Sequence, residues 1–155
     1  MKLLLVGASG FVGRHFPPNY FNCEVLMVDK LWRPLEGLPK TEFLMGNICD
    51  SKVQEVIASW GPTHVINLAG VQYGNGVNKA RRKSYFSENI SISRALKDLV
   101  SGASTITHLT HISTDMVYGA AKVDKVTESH ETVPLGPYGN SKLIAENIIK
   151  KNVIH

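Results

Sequence analysis

Three glycines, Gly7, Gly10 and Gly13, follow directly on the apolar run Lys2–Val6, and nothing else in the sequence constrains the fold as tightly. A short apolar run cut off by glycine is the pattern of a strand buried on both faces. The segment GASGFVG then asks for a tight turn, a backbone able to approach another group closely, and a helix packed hard against the strand. That helix should open near Gly10 and Phe11. Its first N–H groups and its dipole favour anions, so a pyrophosphate is the ligand implied. A glycine turn that binds nothing is the alternative.

Downstream, strand and helix patterns alternate. The first helix cannot run past Pro17 and Pro18, because a proline in a helix interior costs about 3 kcal/mol. A second strand spans Glu24–Val28 and stops at Asp29; residues 31–40 read as loop, and a third strand spans Glu42–Met45. Asp50 or Ser51 caps a helix running to about Ser59, and Gly61 with Pro62 makes a turn. The fourth strand is His64–Leu68, followed by the glycine-bearing loop AGVQYGNG. Residues 78–100 form a long helix, in one piece or two, with Ile90, Leu96 and Leu99 on an intermittent apolar face and Gly102 ending it. Thr105–Ile112 is the fifth strand, rich in β-branched residues. After a charged, proline-bearing loop at 119–137, the last helix starts near Tyr138 and carries Leu143, Ile144, Ile148 and Ile149. Asn152–His155 reads as the start of a sixth strand. The alternation predicts an α/β fold, a doubly wound parallel sheet whose ligand sits beyond the carboxyl ends of its strands.

Composition narrows the function classes. The 155 residues suit one domain. No apolar run approaches the roughly 18–20 residues that cross a bilayer, and MKLLLVG is too short for a secretory signal. Cys23 and Cys49 have no metal-ligand spacing and read as two buried or half-buried thiols of a cytoplasmic protein. Lys and Arg number 17 against 13 Asp and Glu, a mild excess that suits an anionic ligand better than nucleic acid or a membrane. The basic cluster Lys79, Arg81, Arg82, Lys83 reads as a solvated helix start, with an anion or partner contact as the alternative.

Three further positions point to chemistry. Asp29 closes the second strand 16 residues after Gly13, where a carboxylate can accept both hydroxyls of an adenosine ribose and would repel a 2′-phosphate. NAD is therefore expected, with NADP second; Lys30 and Arg33 follow at once and soften that preference. Tyr138 and Lys142 lie four apart, on one helical face. Lys142 can hold ribose hydroxyls and lower the pKa of a nearby phenol, near 10 when unperturbed, toward a usable acid or base. Thr114, at the end of the fifth strand, can reach the same reacting oxygen. A surface tyrosine and a solvated lysine are the alternative.

In this order the motifs resemble the extended short-chain dehydrogenases/reductases, the NAD-dependent epimerase/dehydratase family, over essentially the whole chain. The resemblance implies a Rossmann-type sheet of five strands with the start of a sixth. Its dinucleotide loop would be Gly7, Ala8, Ser9, Gly10, Phe11, Val12 and Gly13. VINLAG would place Leu68, Ala69 and Gly70 along the cofactor. In ENISISRAL, Asn89 would brace the active site. In HISTDMVYG, Thr114 would stand for the catalytic Ser/Thr, with Tyr138 and Lys142 as the catalytic tyrosine and the cofactor-holding lysine. The implied reaction is hydride transfer on a sugar nucleotide.

The departures matter as much. Where the family often carries Asp after the third strand, GNICD has Asn47, whose amide can still bond an adenine edge, with Ile48 beside it. STD at 113–115 resembles sugar-nucleotide 4,6-dehydratases, yet Met116 replaces a glutamate and cannot transfer a proton. A UDP-glucose 4-epimerase-like activity therefore ranks first, a keto-sugar reductase next, and a non-catalytic dinucleotide-binding module stays open. Family members continue into a smaller substrate domain. Residues 1–155 thus read as an NAD(P)-binding domain truncated relative to the family, expected to bind the adenosine end of NAD and to turn over poorly alone. A homodimer or a completing partner chain would cover its cleft.

Overall fold

A computed structural model describes residues 1–16, 22–31, 41–73, 78–120 and 125–150. Five strands form one parallel sheet: β1 (Lys2–Val6), β2 (Glu24–Asp29), β3 (Thr41–Met45), β4 (His64–Asn67) and β5 (His108–His111). The order is β3-β2-β1-β4-β5, so β1 is central and strand order reverses between β1 and β4. Leu4 sits in register with Leu26 on one side and Val65 on the other. Alternate residues of each strand face opposite ways. Leu4, Val6, Leu26, Val28 and Val65 pack beneath Ile57, Ile92, Leu96 and Leu99 of the helices α2 (Ser51–Trp60) and α3 (Lys79–Gly102). Leu3, Leu5, Val25 and Met27 face the other layer with Ala8 and Phe16.

The remaining elements are α1 (Phe11–Arg14), a 3₁₀ turn at Asp115–Val117, and α4 (Pro137–Lys150). Asp50 caps α2 by accepting from the Lys52 N–H at 2.9 Å, and Gly61 closes it in the left-handed region at φ 74°. Proline begins α4, where its missing N–H is no loss. Among the described residues no helix is long and apolar enough to cross a membrane.

The structure corrects several expected boundaries. β4 ends at Asn67, although the Leu68 N–H still donates to the Val6 carbonyl at 2.8 Å. β5 holds four residues rather than eight, because Ala103–Ile106 turns back on itself, with the Ile106 N–H on the Ala103 carbonyl. α3 is a single helix, and Ile90 is only half-buried while Ile92 takes the core position. On α4, Ile144 is exposed and the buried face is Gly139, Ser141, Lys142, Ala145 and Ile149. Cys23 is buried as expected, but Cys49 is exposed. Pro17 and Pro18, most of the 31–40 loop with Arg33, residues 74–76 and the expected sixth strand lie outside the described residues.

Candidate active site

The carboxyl ends of β1, β2, β3 and β4 open on one cleft at the strand reversal. Gly7 turns the chain out of β1 at φ 83°, and a Cβ there would lie 2.5 Å from the Ala69 backbone nitrogen. The loops after β1 and β4 therefore touch backbone to backbone. A Cβ on Gly13 would stand 2.4 Å from the Ala8 carbonyl, which explains the third glycine as a packing contact behind the loop. Gly10 differs: its added Cβ would meet only the Gly7 carbonyl, at 3.2 Å, and it borders the cleft.

Of the residues expected to hold a dinucleotide, Gly7, Gly10, Asp29, Lys30, Asn47, Ile48, Leu68, Ala69 and Gly70 line this cleft together. Ala8 and Ser9 are buried beneath it, and Phe11 and Val12 project outward. Asp29 is fixed by the loop it faces. The Ser9 N–H donates to its Oδ2 at 2.9 Å and the Leu31 N–H to its Oδ1 at 3.1 Å. The Asn47 Oδ1 accepts from the Cys49 N–H, so its amide nitrogen is the group offered outward. Val6, Val28, Gly46, Gln72, Glu88 and Ile92 also line the cleft and were not anticipated. The strand-end valines follow from the rule that ligands sit beyond strand termini. Nothing in the sequence places Glu88 of α3 opposite the end of β2, yet its Oε2 lies 3.1 Å from the Lys30 ammonium.

Asn89, Thr114, Tyr138 and Lys142 do not line this cleft; a buried polar network connects it to the start of α4. Asn89, 3% exposed, accepts the Val71 N–H at 2.8 Å through Oδ1 and donates to the Ser141 hydroxyl at 3.0 Å. Ser141 in turn donates to the Tyr138 carbonyl at 2.7 Å. One asparagine thus ties the loop after β4 to the first turn of α4. Gly139 lets α4 sit against the 3₁₀ turn, where a Cβ would fall 2.6 Å from the Met116 carbonyl. Tyr138 rests among rings, 5.4 Å from buried Tyr85 and 5.9 Å from Tyr73.

The electrostatics at this end depart from the expectation. Burial pushes the Tyr138 phenol above its ordinary range, and Tyr85 and Asp115 push the same way. Lys142 does not offset this. Its ammonium is buried and donates to the Ile112 carbonyl at 2.6 Å, and burial pulls its pKa down against an opposing pull from Glu146. Glu146 also accepts a short hydrogen bond from the Ser113 hydroxyl. The Thr114 hydroxyl donates to Asp115 at 3.2 Å and accepts the Met116 N–H at 3.3 Å, capping the 3₁₀ turn.

His111 was not anticipated. The Asn67 amide donates to its Nδ1 at 2.9 Å, so the neutral ring carries its proton on Nε2, which is buried and, among the described residues, without a hydrogen-bond partner. Burial, then the charge of Lys142, lowers its pKa to about 4.

Comparison with known proteins gives a consistent picture. The model of the NAD dependent epimerase/dehydratase family matches residues 3–152. A probable dTDP-glucose 4,6-dehydratase of Sinorhizobium fredii is 26% identical, covering 95% of this chain and 47% of its own length. A UDP-glucose 4-epimerase of Pasteurella multocida is 27% identical, covering 97% and 48%. Among solved structures, the UDP-glucuronic acid 4-epimerase of Bacillus cereus in complex with NAD superposes with a TM-score of 0.82 at 26% identity, over 99% of this chain and 53% of its own. The chain spans about half the length of the curated relatives it matches.

Proposed function

The chain belongs to the NAD dependent epimerase/dehydratase family, and from that premise we propose that residues 1–155 are the NAD-binding domain of a sugar-nucleotide 4-epimerase. In this reading Asp29 receives the adenosine ribose, Gly10 faces the pyrophosphate, and Thr114, Tyr138 and Lys142 serve the sugar. The observation that carries it is the cleft lined by Gly10, Asp29 and the loop after β4, a loop that Asn89 and Ser141 wire to the Tyr138 carbonyl.

The residues present fit such a cofactor. Each Asp29 oxygen accepts one backbone N–H, which fixes the carboxylate and leaves lone pairs for ribose hydroxyls. Gly10 keeps its approach clear of any Cβ. The Asn47 amide nitrogen can donate to an adenine edge. A bound nicotinamide ring supplies the hydride acceptor. The chain's own part is to move a proton and hold an oxygen. Tyr138, its phenol raised by burial, holds its proton at neutral pH and gives it up at Oη only when positive charge comes near. Lys142 is the cation of the expected pair; its bond to the Ile112 carbonyl uses one of its three N–H donors and leaves two for ribose or phenol oxygens. Thr114 reaches a sugar oxygen by exchanging its long bond to Asp115.

A keto-sugar reductase is the second reading, and the raised phenol favours it, since reduction needs a proton donor to the carbonyl oxygen. Met116 argues against dehydration, because a thioether cannot transfer the proton that elimination requires. The test is to incubate the chain with NAD and UDP-glucose, UDP-galactose, UDP-glucuronic acid or dTDP-glucose and to follow products by chromatography. Low yields of a 4-epimer, absent from Tyr138→Phe, are expected. Yield that survives Tyr138→Phe removes Tyr138 from the chemistry, and a 4-keto-6-deoxy product restores the dehydratase.

A further inference from the structure

We propose that Glu88 is a second determinant of cofactor selectivity, acting by holding Lys30 in an ion pair across the adenosine end of the cleft so that a 2′-phosphate finds Lys30 already paired; this rests on the NAD-binding reading above.

Charge and geometry both support it. The charged side chains lining the cleft among the described residues are Asp29, Lys30 and Glu88, two carboxylates against one ammonium. Lys30 directly follows the residue that would meet the ribose hydroxyls, and among the described residues it is the cation that lines this end of the cleft. Its Nζ lies 3.1 Å from the Glu88 Oε2, 58 residues away on α3. The pair stands at the rim, beside the Asn47–Cys49 turn: the Cys49 thiol, raised by burial, is pulled down by Lys30 and pushed up by Glu88. A phosphate entering here would face Asp29 and Glu88 and would have to break the pair to win Lys30. Adding a dianion next to two carboxylates is unfavourable, and the ammonium that could offset it is already matched.

The pair's size sets the scale of the effect. Both side chains are about half exposed, at 51% and 45%, so solvent weakens their attraction. Releasing Lys30 should therefore improve NADP binding relative to NAD by roughly two- to fivefold, the range of a single exposed charge pair. Because both partners are at the surface, the variants should fold.

The experiment is calorimetric titration with NAD and with NADP of the parent chain, Glu88→Gln, Lys30→Gln and the double variant. Glu88→Gln should shift the NADP-to-NAD affinity ratio toward NADP by about that factor, and the gain should shrink as salt is raised. Lys30→Gln should show no gain, and the double variant should gain less than Glu88→Gln, keeping only what the lost Glu88 charge contributes. A ratio unchanged in Glu88→Gln, with NAD still bound, overturns this proposal alone. A gain of equal size with and without Lys30 also overturns it, because the released cation would then lie elsewhere. A parent chain that binds no NAD overturns the cofactor reading and this proposal with it.

Discussion

At the end of the crevice formed by Gly7, Gly10 and Asp29, backbone sets the shape: β1 and β4 exit side by side, and atoms of one loop fill the space a side chain would need on the other. At the end where α4 starts, beyond the residues that line the cleft, buried side-chain hydrogen bonds set the shape, running from Val71 through Asn89 and Ser141 to the Tyr138 carbonyl. The first end should be intolerant of added atoms and the second of deleted partners. Backbone shape persists without any particular side chain, whereas a polar network fails once one member is lost.

The largest effect should come from adding atoms at the backbone-built end. Gly7→Ala drives a Cβ into the Ala69 backbone at a positive φ and should cost roughly 3 kcal/mol or more in urea unfolding. Gly10→Val probes the same loop where an added Cβ would meet only the Gly7 carbonyl, at 3.2 Å, so the unfolding midpoint should fall less than in Gly7→Ala while NAD affinity falls at least about tenfold. Equal loss of stability at both positions would erase the distinction between packing and ligand-facing glycines.

Deleting a partner at the other end should come next. Asn89→Ala strands the Val71 N–H and removes the donor to Ser141, with an expected loss of about 2–3 kcal/mol. Because Ser141 holds the Tyr138 carbonyl, the ring signals of Tyr138 in NMR should shift as well. A fully stable Asn89→Ala with unmoved Tyr138 signals would mean that the network does not set this end.

His111 gives a smaller, pH-dependent effect. Its folded pKa, lowered to about 4, lies below the unfolded value of about 6.5. Between those values the unfolded chain binds more protons, so stability is present above pH 6.5 and drains away as pH falls toward 4, by at most about 1.4 kcal/mol per pH unit. His111→Gln should flatten the urea midpoint between pH 7 and 5 relative to the parent. Parallel profiles would mean that His111 is not buried against Asn67 and Lys142.

The smallest effect should come from the rim. Removing the half-exposed Lys30–Glu88 pair should change folding stability by less than about 1 kcal/mol. A larger loss would make the pair a structural strap rather than a selector.

The same contrast explains what was legible in the sequence. The apolar runs of β1, β2, β3 and β4 end at Gly, Asp, Gly and near Asn, and their bounds were read to within a residue or so. The glycine loop was legible because each glycine answers a steric demand. α3 was harder: its buried line runs through Tyr85, Asn89, Ile92, Ser93 and Leu96, so polar residues break the apolar periodicity that defines a buried face. α4 misled for the same reason, since Ser141 and Lys142 are buried and Ile144 is not. Spacing put Tyr138 and Lys142 on one face, but no spacing rule foretells that the ammonium turns to the Ile112 carbonyl. Likewise β-branched residues over-extended β5, where Ile106 belongs to a turn that enters the core.

If the backbone-built end is the part that holds the cofactor, the chain should recognise one half of NAD far better than the other. Calorimetric titration with ADP-ribose and, separately, with nicotinamide mononucleotide tests this directly. ADP-ribose should bind within about tenfold of NAD, an interval of roughly 1.4 kcal/mol, and should weaken sharply in Gly10→Val, while the mononucleotide should bind much more weakly. Mononucleotide binding as tight as NAD, with ADP-ribose inert, would contradict the assignment of the glycine loop and Asp29.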